Sequence, residues 1–171
     1  MVLTCSSRAQ ILATNVGGWD MRLTSRTNCY LIGEPISIIV TVSNMTERFG
    51  YVPSTTCSDG QNYLGFCALD VFDLKTGKTP GVQSPSYDSA DDRGASIAPK
   101  QSASFVYNLT SIYILTNSAT YAISLHGKMN AVPELGHPVH SGTPMQVDLS
   151  TLYITVGDQS APTNSIGGSK K

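Results

Sequence analysis

The chain has 171 residues, enough for one domain with a proper core, and its 11 basic and 12 acidic residues give a formal net charge of -1. That balance supplies no cationic field for nucleic-acid phosphates and no polybasic stretch for a membrane surface, and no apolar run approaches the roughly 18 residues of a membrane span. Only 13% of residues are charged, while 21 serines and 17 threonines carry the surface polarity, which points to an extracellular, cell-surface or periplasmic setting.

Residues 1–18 are polar apart from Ile11-Leu-Ala13 and close on Gly17-Gly18, a pattern that predicts an N-terminal arm or a peripheral strand. Met1-Val-Leu-Thr-Cys5 has neither a charged n-region nor an apolar h-region, so a mature chain without its signal peptide is expected.

From Trp19 strand signals accumulate. Asp20-Met-Arg-Leu-Thr24 alternates, and Ile36 to Ser43 puts Ile36, Ile38, Val40 and Val42 on one face and Ser37, Thr41 and Ser43 on the other, as a half-buried strand should. Phe49-Gly-Tyr-Val52 predicts a short strand ending at Pro53. Leu69-Asp-Val-Phe-Asp-Leu74 followed by Lys75-Thr-Gly-Lys78 reads as a hairpin.

Residues 79–100 hold three prolines and the acidic run Asp88-Ser-Ala-Asp-Asp92 with almost no apolar periodicity, so a long exposed loop is expected there. Strands follow at Ser102–Leu109, Thr120–Leu125 and Thr151–Val156, with a single helical turn expected in Thr110–Leu115. The composition turns to Ser, Pro, Asn and Gly after Gly157. The predicted organisation is therefore an arm over 1–18, an antiparallel immunoglobulin-like β-sandwich of about seven to nine strands over 19–157, and a flexible linker or tail over 158–171. The terminal Lys170-Lys171 belongs to that tail.

Four cysteines, Cys5, Cys29, Cys57 and Cys67, suit an oxidising compartment and predict disulfide staples. Of three possible pairings, Cys57 with Cys67 and Cys5 with Cys29 is favoured, because the turn dipeptide Asp59-Gly60 lets the 57–67 segment return on itself. Closing that loop stabilises by roughly 2 to 3 kcal/mol in the chain-entropy model. A four-thiolate zinc site would start from a Cys-x-x-Cys pair, which is absent.

Cys29-Tyr-Leu-Ile-Gly-Glu-Pro-Ile36 leading to Val42-Ser-Asn44 resembles the opening of bacterial immunoglobulin-like modules. These include the intracellular-proteinase-inhibitor type and the N-terminal sandwich of deuterolysin-like proteases. Val71-Phe-Asp-Leu-Lys-Thr-Gly77, Ile97-Ala-Pro-Lys-Gln-Ser102 and Asn108-Leu-Thr-Ser-Ile-Tyr-Ile-Leu115 with Thr120-Tyr-Ala-Ile123 are similar to later pieces of the same modules, in the same order. The resemblance spans about residues 20–156 and implies the sandwich fold. Lys100 stands where those modules have a turn glycine, Ser118-Ala119 stands where a glycine precedes the tyrosine, and no residue matches a protease-inhibiting loop.

Residues able to carry chemistry are few. Asp88, Asp91 and Asp92 could offer oxygens to calcium, although their spacing is not that of an EF-hand and Arg93 adjoins them. His137-Pro-Val-His140 has a chelating spacing that Pro138 works against, and His126 stands apart. Glu34 and Glu134 could be imagined as paired carboxylates, but Glu34 sits in a turn signature. There is no Gly-x-Ser-x-Gly elbow. Neither an enzyme nor a cofactor is expected.

Asn44-Met-Thr46 and Asn108-Leu-Thr110 are N-glycosylation sequons that matter only in a eukaryotic secretory host. Tyr51, Tyr63, Phe66 and Tyr87 fall in or near loops and are the candidate contact aromatics for a protein or a glycan. The expected function is a non-catalytic interaction module working through loops 53–67 and 79–100. Self-assembly by strand addition of the arm, or a protease-inhibitor or accessory role, are the alternatives.

Overall fold

The computed structural model describes residues 11–56, 62–64, 67–83, 92–130 and 144–157. In chain order the elements are β1 (Ile11–Val16), β2 (Trp19–Ser25), β3 (Cys29–Leu31), β4 (Ser37–Asn44), β5 (Gly50–Thr56), β6 (Asn62–Leu64), β7 (Cys67–Asp73), β8 (Asp92–Ile97), β9 (Ser102–Asn108), the one-turn helix α1 (Leu109–Ile112), β10 (Ala119–Asn130) and β11 (Pro144–Gly157). The described residues are all-β in their regular structure apart from that turn. Eleven strands are described instead of seven to nine, because short pieces that sequence alternation is too brief to reveal, such as β3 and β6, also pair.

One sheet runs β1-β2-β4-β9, all antiparallel, with β1 on its edge. A second runs β3-β11-β10-β7, and here β3 lies parallel to β11, so the pairing is not wholly antiparallel. A third, smaller sheet runs β6-β5-β8. The inner faces of the two larger sheets share one core: Met21 and Leu23 of β2, Ile38, Val40 and Val42 of β4, and Phe105 and Tyr107 of β9 join Val71, Ile123, Leu125, Leu152 and Ile154 from the second sheet. Fully burying one such aliphatic side chain contributes about 1.5–3 kcal/mol of transfer free energy.

The segment between β2 and β3 carries the chain from one sheet to the other. Ser25 ends β2 with its side chain buried, and it remains satisfied because its hydroxyl lies 2.7 Å from the Thr27 carbonyl oxygen and 2.6 Å from the Tyr30 hydroxyl. Beyond β3, Glu34 closes the turn by accepting from the Arg26 guanidinium at 2.6 Å and from the Leu31 N–H at 3.0 Å, while Gly33 takes a φ of +84°. Glu34 is thus a turn anchor.

Asn44 fixes the corner where β4 hands over to the third sheet. Its side chain is fully buried, donates to the carbonyls of Arg48 at 2.7 Å and Ile97 at 2.9 Å, and accepts from the N–H and hydroxyl of Thr46. The Trp19 ring lies so close over Gly50 that a Cβ there would overlap it. Lys100 holds a φ of +62°, which favours glycine, and is tied down there by its N–H to Asn44 O at 2.8 Å and its Nζ to Met45 O at 2.7 Å.

Two expectations fail on backbone grounds. The turn after β7 forms, with Gly77 at φ +68°, but over the described residues 78–83 no strand follows it: Asp73 and Lys78 make an isolated bridge before Pro80, which has no N–H to offer a ladder. The expected loop over 79–100 contains β8, which pairs with β5 and turns Ile97 inward. β5 itself continues through Pro53 to Thr56, which is tolerated because pairing with β6 begins only at Ser54.

Candidate functional site

Alternation places every second residue of β7, β10 and β11 outside the core, and these residues share one outer face of the second sheet. Ala122 on β10 lies in register with Phe72 of β7 on one side and Tyr153 of β11 on the other. Phe72 is 44% exposed and Tyr153 46% exposed, so two large rings flank a small residue in one row across the face. At about 4.8 Å per strand their backbones stand roughly 10 Å apart.

The rows on either side are polar. Toward one end Thr120 and Thr155 face each other with hydroxyls 3.1 Å apart, and Cys29 of β3 lies in register with Thr155. Toward the other, Ser124 pairs with Asp70 and His126 with Asp148. The Nδ1 of His126 is 3.2 Å from the Asp70 carboxylate, both side chains being largely exposed. β7 and β11 carry no lysine or arginine, and β10 carries only Lys128. The described face is therefore aromatic in the middle, with two carboxylates and an imidazole toward one end.

A hollow of about 370 Å³ opens beyond the end of β7, lined by Asp73, Thr76, Lys78, Pro80, Ile114 and Tyr121, among others. Its polar groups serve the fold. Asp73 accepts from the N–H groups of Lys75 at 2.8 Å and Thr76 at 3.3 Å. Burial alone would raise its carboxyl, but these bonds, the Thr76 side chain and the Lys75 charge hold it below the ordinary value of 3.8. Burial and the neighbouring Asp73 charge push the Tyr121 hydroxyl above its ordinary 10.0, and it donates to the Asn117 carbonyl at 3.3 Å.

Of the residues expected to make contacts or hold a metal, Tyr51, Tyr63 and Asp92 fall in the third sheet. Tyr51 is half-buried in β5 opposite Ser96, and Tyr63 lies in β6 opposite Thr55. Asp92 lies in β8, also opposite Thr55. Cys67 opens β7. Phe66, Tyr87, Asp88, Asp91, Cys5, Cys57, His137, His140, Glu134 and Lys170-Lys171 lie outside the described residues. Among the described residues no group of three His, Cys, Asp or Glu side chains is gathered for a metal, and no helix is long and apolar enough to cross a membrane.

Sequence reasoning passed over Phe72 and Tyr153, although a signal was present. In Leu69-Asp-Val-Phe-Asp73 the inward phase is held by Leu69 and Val71, which leaves Phe72 on the same side as Asp70. An aromatic residue in the solvent phase of an otherwise regular strand marks a surface whose apolar content the core does not require.

No family model matches the chain, and no curated protein matches it. Among solved structures, a crystal structure determined as a target of the Northeast Structural Genomics Consortium aligns over 98% of this chain and 93% of that one, at 12% identity and a TM-score of 0.36.

Proposed function

We propose that this chain is a non-catalytic interaction module of immunoglobulin-like architecture, working outside the cytoplasm, that recognises a protein or a glycan through the outer face of its second sheet. The observation that carries the recognition reading is the exposed Phe72–Ala122–Tyr153 row with the acidic row beside it. Aromatic rings are the commonest anchors of recognition surfaces, and the carboxylates favour neutral sugar hydroxyls or a partner surface bearing Lys or Arg.

The architecture draws its support from strand order. Sheet neighbours β2-β4-β9 and β11-β10-β7 follow the A-B-E and G-F-C order of immunoglobulin-like sandwiches. Tyr121, near the start of the F-equivalent β10, hydrogen-bonds the carbonyl four residues upstream, as a tyrosine corner does. A departure is β8, which joins β5 instead of extending the sheet beyond β9. The compartment reading rests on the four cysteines of a chain with few charges; we assign Cys29 to Cys5 and a second staple to Cys57 and Cys67.

The test is a binding screen on a printed array of neutral oligosaccharides and of peptides containing Lys or Arg, run in parallel with the Phe72→Ala/Tyr153→Ala double variant. Ligands that bind the wild type should lose at least about tenfold in affinity on the double variant, about 1.4 kcal/mol. A binder that is indifferent to the double variant but lost on changing Tyr51 would return recognition to the loops and overturn the sheet-face reading.

A further inference from the structure

The fold treats the two Asn-x-Thr sequons in opposite ways. Asn44 is completely buried, and both hydrogens of its Nδ2 are committed, one to the Arg48 carbonyl and one to the Ile97 carbonyl. Asn108 ends β9 on the outward side of the first sheet, in the same phase as exposed Ser102 and Ser104, and is only half-buried. Its Oδ1 accepts from the Thr110 hydroxyl at 2.7 Å, while its Nδ2 makes no hydrogen bond among the described residues.

We infer that Asn108, and not Asn44, is the site at which this chain carries an N-linked glycan when it passes through a glycosylating secretory compartment. In the transfer, Nδ2 forms a bond to C1 of the reducing-end sugar of a lipid-pyrophosphate-linked oligosaccharide. The C1–O bond to pyrophosphate breaks, the lipid pyrophosphate leaves with the electron pair, and Nδ2 gives up one of its two hydrogens as a proton. At Asn108 that loss costs no hydrogen bond of the fold. At Asn44 it would break the bond to the Arg48 carbonyl or the buried bond to the Ile97 carbonyl, and it would attach a glycan to a side chain with 0% exposure. A chain modified at Asn44 therefore cannot close the corner between β4 and β5. Asn108 lies in register with half-buried Ser37, and further along the same outer face Ser104 and Ser102 are exposed and uncharged, so a hydrated sugar has room to lie outward.

This inference rests on the extracellular reading only for whether the modification occurs at home, so its test supplies the route. The full chain is expressed behind a cleavable secretion leader in a eukaryotic host. The secreted protein is treated with peptide-N-glycosidase in heavy-oxygen water and its peptides are mapped by mass spectrometry. The Asn108 peptide is expected to carry the heavy-oxygen aspartate label in most molecules and the Asn44 peptide none. Asn108→Gln and Thr110→Ala, both outside the core, are expected to be secreted and to lose the single glycan. An unlabelled Asn108 in secreted wild type overturns the inference, as does a labelled Asn44 in secreted protein whose Tm equals that of the deglycosylated form. Glycosylation at Asn108 in a chain that proves cytoplasmic at home would overturn the compartment reading alone.

Discussion

The two larger sheets turn very different outer faces to solvent. On the first, β4 and β9 present small hydroxyls that satisfy one another, Thr41 with Ser104 at 3.1 Å and Ser43 with Ser102 at 2.7 Å, and Arg22 pairs with Asp20 on β2. On the second, Phe72 and Tyr153 stand nearly half exposed beside Asp70, Asp148 and His126. Both faces cover the same core with the same alternation, so folding alone does not call for the aromatic one. A face whose polar groups are mutually satisfied has little to offer a ligand, whereas exposed rings are apolar area that a partner can remove from water.

The largest expected effect comes from breaking the frame on which both faces rest. Asn44→Ala removes four hydrogen bonds, among them the buried one to the Ile97 carbonyl, and should cost about 3 kcal/mol in urea unfolding. Both faces should fail together in that variant. Next, Phe72→Ala/Tyr153→Ala should lose at least about tenfold in ligand affinity while unfolding free energy moves by less than about 1 kcal/mol. Its counterpart on the first sheet, Thr41→Ala/Ser104→Ala, should cost about 0.2–1 kcal/mol of stability and leave binding unchanged.

Smaller effects come from the turns. Lys100→Gly relieves a left-handed conformation but gives up the pairing with Glu47 at 2.9 Å, so stability should rise by no more than about 1 kcal/mol. Asp73 has a lowered carboxyl, so its contribution is fully present above the unfolded value of 3.8 and fades as pH falls through the still lower folded value. Unfolding free energy measured from pH 6 down to pH 2 should therefore fall less steeply in Asp73→Asn than in wild type below about pH 4.

Where alternation was unbroken, structure was legible in the sequence. β4 could be assigned residue by residue because Ile36, Ile38, Val40 and Val42 hold one phase, and all four are buried. β11 was half legible: Leu152, Ile154 and Val156 are buried in one phase, while Val147 and Leu149 are buried in the other. The pairing with β10 slips between Ile123 and Leu125, so β11 inserts an extra residue and both runs face inward. A reader of sequence sees a broken pattern and stops at Thr151. β8 was missed because Asp92-Arg-Gly-Ala-Ser96 offers no bulky residue before Ile97, and its partner strand supplies the reason to be extended. The candidate face was missed because its row joins residues 72, 122 and 153, which only the register brings together.

The claim that the second sheet's outer face is the recognition surface is tested most directly by amide chemical-shift mapping of the labelled chain with the strongest binder from the array. The account predicts shifts concentrated at residues 70–72, 122–126 and 153, with the β4–β9 face silent. Shifts centred on Thr41, Ser43, Ser102 and Ser104, or confined to Tyr51 and its neighbours in β5, would contradict it.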